Sequence, residues 1–561
     1  MLQLGRKHNP LKNAALIKQL SYYKPQIKSA VSDTDQAFSK LIHQPIKSIQ
    51  PEPRPSTATL FRKLAVSFAR LCLANTADPQ LSTNKTIINE HDFIFPDWKL
   101  DLDNEHQQLL SQLKKEVNVT DFGAVGDGKT DCTKAFIKAI GLGQVKVIIP
   151  EGIFVTKGIR LPSWTHLVGA GKGKTILKLH DQASKGTRLV TNMNHWRGNH
   201  HVFIEGMSLD WNVERFGEAI KTCTWGNHSS CLTYANVTYG WVKDVEAMNA
   251  GLHGFDVSAT LYDYSGDGNK ARGGSKYIWL DQLNAYGFGD DGITTHHSEY
   301  ILISNSHLCD PSGRAHKKGY SNSNGIEVDD GSKNVWLVNN STTRCFGGVE
   351  VKAHHNSSAG NNVQIIGHLS IHDNRSYNFR HIGHHKSTDP NSKTAFYIRA
   401  TNLISIEPMF TDLYENSTPR AMVISAYVHV IVNHFTLIGK KNYDYKKNPI
   451  IAIQYKARNI CLKNVYSRGF KTGSTDIRVF GGHQHADQVY LKNIIVEDSA
   501  PISLDIGKNV KYVSVEDFTA IAVNGKHALK AAKRPLKIMN ASFKGYTTPV
   551  LINNEPDHSF K

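Results

Sequence analysis

From about residue 117 the chain alternates short apolar runs with turns rich in Gly, Asn and Asp. YGWVKDV, SKYIWLD, SEYILIS, SKNVWLV and GNNVQII carry apolar residues at matching positions, as recurring short strands do. Aligned on Val242, Ile278, Ile301, Val335 and Val363, these runs recur at steps of 36, 23, 34 and 28 residues. ARNICLKNV, ADQVYLKNI and KNVKYVSV align on Ile460, Val489 and Val510, at steps of 29 and 21. A second strand recurs between the anchors: GFDVS, GITTH, GIEVD and GVEVK. Irregular repeats of twenty-odd residues, each with two or three short strands, predict an all-β parallel β-helix, a solenoid whose coils stack on one another. The Asn-rich turns suit it, because Asn tolerates left-handed backbone angles. A sandwich or propeller would show other spacings and more hairpin signals.

Residues 1–115 differ. LIKQLSYY, DTDQAFSKLIH and ATLFRKLAVSFARLCL carry helical periodicity, QPIKSIQPEPRPSTAT interrupts it, and DNEHQQLLSQLKKEV (103–117) predicts a last helix. The division is therefore 1–115, a mainly helical attachment or oligomerisation region, with a helical layer packed on the main body as the alternative. The β-helix follows over 116–525, and 526–561 forms the C-terminal end or cap.

Within the second recurring strand, Phe255, Ile293, Ile326 and Val349 are taken as inward. The next residues then form one outward column, Asp256, Thr294, Glu327 and Glu350. Two positions further comes another, Ser258, His296, Asp329 and Lys352. Asp290 and Asp291 precede the strand of Ile293, and Asp330 follows that of Ile326. Rungs about 4.8 Å apart put these acids side by side on one outer face. Stacked like charges are costly unless one is protonated or a cation intervenes, and glycoside hydrolysis uses one protonated and one ionised carboxyl. A solvated acidic ladder paired with Lys352 is the plain alternative.

Composition narrows the partners. The net charge of +17 favours polyanions such as nucleic acid, teichoic acid, or uronic and sialic acid polymers. No groove-reading or base-stacking module is visible, so nucleic acid is not expected. Seven scattered cysteines (72, 132, 223, 231, 309, 345, 461) form no CxxC pair, which argues against a disulfide framework and for a reducing compartment. KLAVSFARLCLANTA (63–77) is broken by Arg70 and too short to span a bilayer. Neither a membrane partner nor export is expected. Histidines cluster at 296–297, 354–355 and 381–385. Trp211, Trp225, Trp241, Trp279, Trp336 and Tyr320 are candidate sugar platforms, half of them expected to pack beneath loops, and Tyr320 and Trp225 are singled out by their loop-like context.

VNVTDFGAVGDGKTDCTKAFIKAI (117–140), followed by VIIPEGIFV (147–155), resembles the opening of the pectate-lyase-superfamily right-handed β-helix. The Gly-rich GAVGDGKTD is read as a turn of that opening and not as a phosphate loop. The resemblance covers roughly 117–520. The same opening recurs in phage tailspikes, capsule depolymerases, polygalacturonase-like hydrolases and polyuronate epimerases. The acidic strands also resemble the polygalacturonase pattern: Asp256 in GFDV, Asp290 and Asp291 in GDDGI, and Lys352 in GVEVK at the basic position. They depart from it at the His-Gly motif, which reads Asn324-Gly325, and His316 is the candidate substitute.

The resemblance implies a phage tailspike-type depolymerase hydrolysing a bacterial surface polysaccharide or teichoic-acid-like polymer, anionic or neutral. It implies a homotrimer joined to the tail or an adaptor by its N-terminal region, assembled in bacterial cytoplasm and acting from the virion at the host surface. Asp290, Asp291, Glu327, Asp329 and Glu350 are the candidate catalytic carboxyls. Asp256, His296, His316, Tyr320, Lys352 and Arg380 are the candidate substrate-binding residues. No cofactor is required. Calcium among Asp290, Asp291, Glu327 and Asp329 would accompany the alternative, a lyase or epimerase of a uronic acid polymer with Arg344, Lys352 or Arg380 as base. A non-enzymatic adhesin is the third reading.

Overall fold

The computed structural model describes residues 2–45, 81–224, 226–260, 262, 273–354, 357–382, 395–533 and 536–559. Cys72, the helical pattern ATLFRKLAVSFARLCL, Trp225, His355, His384 and His385 lie outside them.

Each coil gives one strand to a fifteen-stranded sheet that runs from Ile159–Leu161 to the final strands. The rest of a typical coil is one long strand, such as Lys333–Thr343, Asn361–Ile371 or Phe396–Ile406, in parallel register with its neighbours. These strands bend at a left-handed residue in every coil: Asn339, Gly367, Asn402, His434, Asn464 and Asn493, with φ of 51°, 73°, 58°, 58°, 53° and 53°. Asn pays least among residues with a Cβ for that conformation. Its side chain also ladders, with Asn493 Nδ2 donating to Asn464 Oδ1 at 2.6 Å. Inside the coils Val335, Val363, Ile398, Val430 and Ile460 are wholly buried. Each contributes about 1.5–3 kcal/mol of apolar burial, so stacking is the source of stability.

The recurring pattern places most anchors in register: Ile278 opposite Ile301, Ile301 opposite Val335, Val335 opposite Val363, and Ile460 opposite Val489. Two anchors differ. Val242 faces Leu280, with Gly240 opposite Ile278, since a glycine occupies the position that elsewhere carries a branched residue. Val489 faces Val513 and not Val510, which lies in the preceding turn.

The N-terminal opening has the expected parts: the strand Lys115–Asn118, the helix Thr133–Ile140, and the strands Val145–Ile149 and Gly152–Thr156. The helix turns Ala135, Phe136, Ala139 and Ile140 onto the first coils. Residues 123–130, GAVGDGKT, do satisfy the GxxxxGK[ST] spacing, so spacing alone does not dismiss a phosphate loop. Their geometry does. The backbone N–H groups of Lys129 and Thr130 donate to Asp127 Oδ1 at 2.9 and 2.8 Å, so the protein's own carboxylate fills the place of a phosphate.

The described part of residues 1–115 is a layer on the β-helix. Helix Asn13–Leu20 sets Ile17, with Leu4, against Leu369, Ile371 and Ile404. Helix Ile27–Ile42 pairs Asp33 with Lys463 and Asp35 with Arg399, at 2.5 and 2.7 Å. Ile94, Phe95 and Trp98, with Leu102 of helix Lys99–Gln112, cover Phe203, Trp241 and Trp336. At the other end parallel pairing continues past Gly525. His527–Ala531 pairs with Ile502–Ile506 and then with Val550–Ile552, before an antiparallel close at Glu555–Pro556. Among the described residues no helix is long and apolar enough to cross a membrane, and the six described cysteines are unpaired.

Candidate functional site

The acidic columns stand in the expected register. Phe255, Ile293, Ile326 and Val349 point inward and are wholly buried. Asp256 faces Thr294, Thr294 faces Glu327, and Glu327 faces Glu350 on successive strands. The expectation of an open outer face is corrected: Asp256, Asp329 and Glu350 are 0% exposed and Glu327 3%. Alternation tells which side a residue takes, not what covers that side. Here part of the cover is Tyr262, whose ring stacks on His296 at 3.9 Å and whose hydroxyl donates to Asp330 Oδ2 at 2.9 Å.

Buried carboxylates persist only with compensating charge, and the structure supplies it. Lys352 Nζ lies 2.7 Å from Glu327 and 3.7 Å from Asp329. Burial alone would lower this ammonium, but Asp329, Glu327 and Glu350 hold it well above the usual lysine range. His296 stands 3.9 Å from Asp256 and 3.6 Å from Asp329. Against its burial, these two acids raise it to about 10. Asp329, despite burial, is held well below the carboxylate range by Lys352, His354 and His296. Arg380 binds Glu350, which also accepts from Asn322 and Asn378 at 2.6 and 2.7 Å. Glu350 is thereby kept low although buried, Arg380 and Lys352 being the main opposing charges. Glu327 is raised, by burial first and then by Asp329 and Glu350, with Lys352 opposing.

Asp290 and Asp291 occupy the turn before the strand Ile293–Thr295. His316 Nε2 sits 3.0 Å from Asp290 Oδ2, and His253 Nε2 lies 3.8 and 3.6 Å from Asp290 and Asp291. Burial would lift Asp290, yet His316 and His253 hold its carboxyl well below the ordinary range. Asp291 goes the other way: burial, then the charges of Asp290 and Glu327, push it well above. The surroundings of one turn thus drive the proton affinities of its two carboxyls in opposite directions. Asn324, in the position of the family's His-Gly histidine, links them to the column. Its Nδ2 lies 3.1, 2.9 and 2.9 Å from Asp291 Oδ1, Glu327 Oε1 and Glu350 Oε2, and its backbone N–H also donates to Asp291.

The cluster reaches the surface along Asp290, His316, Arg380 and His354, all partly exposed, with Lys352 just beneath. Asp256 and His296 lie deeper, out of contact with solvent. Tyr320 is 51% exposed, in edge contact with Tyr414 at 6.5 Å. Trp211, Trp241 and Trp336 are buried core. Arg344 is away from the acids, bound to Asp310 and the carbonyl of Leu4. His253 went unnoticed in the sequence. It stands two residues before Phe255, as Asp291 does before Ile293 and Asn324 before Ile326, and comparing those positions finds it.

Three sets bring one ligand atom from each residue within 4.8 Å of one another: His253, Asp290 and Asp291; His296, Glu327 and Asp329; and Asp329, Asp330 and His354. Each set holds one histidine and two acids, and the second contains His296, raised by its acids, and abuts Lys352. These cations hold the charge balance that calcium would otherwise supply.

Residues 116–350 match the family described as rhamnogalacturonase A/epimerase, pectate lyase-like. A phage-related protein of Bacillus subtilis (strain 168) is 47% identical over 81% of this chain and 56% of its own length. The pre-neck appendage protein of Bacillus phage phi29 is 40% identical over 74% of this chain and 48% of its own length. The chain therefore spans about half the length of these relatives. The crystal structure of the bacteriophage phi29 gene product 12 N-terminal fragment superposes with a TM-score of 0.74 at 35% identity, covering 82% of this chain and 76% of that one. By the β-helix, its N-terminal opening and these similarities, the chain belongs to the pectate-lyase-like right-handed β-helix proteins, alongside the phage pre-neck appendage proteins.

Proposed function

We propose that the chain is a phage tail-appendage depolymerase that hydrolyses a bacterial surface polysaccharide or teichoic-acid-like polymer. The observation that carries this reading is the opposite direction in which their surroundings drive the proton affinities of Asp290, partly exposed, and Asp291, buried just behind it. Paired groups whose surroundings drive their pKa values apart are the acid and base of hydrolytic sites. In this reading Asp291 gives its proton to the leaving oxygen. Asp290 takes a proton from the water that attacks the broken centre. Asn324 holds Asp291 in place and the charge of Glu327 raises its proton affinity, while Lys352, Arg380, His316 and Tyr320 orient the polymer. The similarity to pre-neck appendage proteins supports placement on the virion; in this reading residues 1–115 face the tail or an adaptor and the chain assembles as a homotrimer.

The lyase alternative is less well supported. Lys352 is held charged, and Arg380 is engaged by Glu350, so neither is a ready base. The test is digestion of purified teichoic acid and capsule in ¹⁸O-labelled water, read by mass spectrometry. Saturated, labelled fragments are expected. Unsaturated, unlabelled fragments would establish the lyase, and no fragments from a broad panel would leave an adhesin.

A further inference from the structure

Towards the C-terminal coils the same face changes sign. From Glu327 and Glu350 the column runs on through Asn378, Val423, Ala452 and Arg478 before an acid returns at Asp505. Beside it, Asn324, Gly347, Arg375 and Arg420 are successive partners on neighbouring strands. Two guanidinium groups therefore rise from adjacent rungs, about 4.8 Å apart at the backbone, next to the carboxylate cluster.

Neither has an acidic partner among the described residues. Arg375 lies over the Phe346 ring at 5.4 Å, and its buried Nε makes no hydrogen bond. Arg420 spends its donors on Thr418 Oγ1 and Asn448 Oδ1, at 3.2 and 3.3 Å, both neutral. Arg380 and Arg344, by contrast, are each closed by a carboxylate. Burial, and then neighbouring guanidiniums (Arg380 for the first, Arg375 and Arg478 for the second), lower Arg375 and Arg420 to about 10. Both still carry full charge at neutral pH. Two half-buried like charges, one with a buried Nε that makes no hydrogen bond, are costly as they stand. An oxyanion between them would relieve the cost, and the planar fork of arginine suits carboxylate and phosphate alike.

We propose that Arg375 and Arg420 form an oxyanion subsite that grips an acidic group of the polymer, carboxylate or phosphodiester, on the C-terminal side of Asp290 and Asp291. The polymer's path past the cleavage point rests on the depolymerase reading; the binding itself does not.

The test is calorimetric titration of the full chain with poly(glycerol phosphate), with oligogalacturonate and with neutral dextran. Saturable binding of at least one anionic probe is expected, and which one binds names the source of the oxyanion. The double variant R375M/R420M should bind that probe about a hundredfold more weakly, roughly tenfold for each charged hydrogen-bonding group lost. R420K, which keeps the charge without the fork, should fall between. K134Q, on the remote helix Thr133–Ile140, should bind as the unaltered protein does. Thermal melting checks the fold of the double variant, and if it is lost, R420K alone decides. Undiminished affinity in the variants, equal binding of dextran, or no saturable binding of either anionic probe would overturn the subsite. Specific binding with no cleavage would sink the depolymerase and keep the subsite. Cleavage and binding that ignore both substitutions would do the reverse.

Discussion

His316 sits 3.0 Å from Asp290, and this contact falls on one of two neighbouring carboxyls. It helps lower the proton affinity of Asp290, while burial and the charges of Asp290 and Glu327 raise that of Asp291. His316→Ala should raise the Asp290 pKa, so the acidic limb of the kcat/KM profile should move to higher pH while the basic limb, set by Asp291, stays. D290N and D291N should each lower turnover by about 10²–10⁴-fold, the usual scale of general acid–base catalysis. A profile unchanged in H316A would remove Asp290 from the base role.

Lys352 is a stability prediction as well as a functional one. Its ammonium stands 2.7 Å from Glu327 and 3.7 Å from Asp329, both buried. Lys352→Met would leave two buried carboxylates short of their cation, and breaking a buried pair from one side costs about 3–5 kcal/mol. Denaturant unfolding of K352M should show that loss. A variant as stable as the parent would mean the acids are already protonated.

The fold was legible because a β-helix writes its register into alternation: inward Phe255, Ile293, Ile326 and Val349 could be lined up with no partner known. The same alternation put Asp329 beside Lys352. It was silent on depth, since Tyr262, just beyond the strand Phe255–Ser258, covers the face. Asn324 was legible only as a missing histidine, because an amide reveals its three carboxylate partners only in three dimensions. The anchor at Val242 slipped by two residues because Gly240 gives no apolar signal.

Asp476 offers a pH test away from the site. It is buried, accepts from Ser467 and Ser499 at 2.6 Å, and burial raises it to about 7. A carboxyl raised in the folded state contributes stability in full below its unfolded pKa near 3.8 and loses it as pH rises through 7. The difference in unfolding free energy between the parent and D476N should therefore change by a few kcal/mol between pH 4 and pH 8, on the order set by linkage for a shift of this size. A flat difference would mean that Asp476 is ionised in the folded protein throughout.

Chelation separates the cation arguments. Lys352, His296, His253 and His316 already balance the acids, so dialysis against EDTA should leave both melting temperature and polymer cleavage unchanged. Loss of either, restored by calcium and not by magnesium, would put a calcium ion among Asp290, Asp291, Glu327 and Asp329.

Gly347 gives the sharpest test of Asn324. A Cβ built there would stand 2.1 Å from Asn324 Oδ1, far inside van der Waals contact, so Gly347→Ala must push the amide away. The backbone need not suffer, because Gly347 lies inside a regular strand and is not among the glycines with positive φ. Displacing the amide removes a donor from Asp291, Glu327 and Glu350 together. Crowded acids that lose a shared donor take up protons more readily, so G347A should shift the basic limb of the rate profile upward and lower the maximal rate. Asn324→Ala removes the same donor without a clash. If both variants give the same altered profile while melting near the parent, Asn324 acts by positioning Asp291. If G347A alone is impaired, the clash has damaged the strand, and Asn324 is a packing residue only.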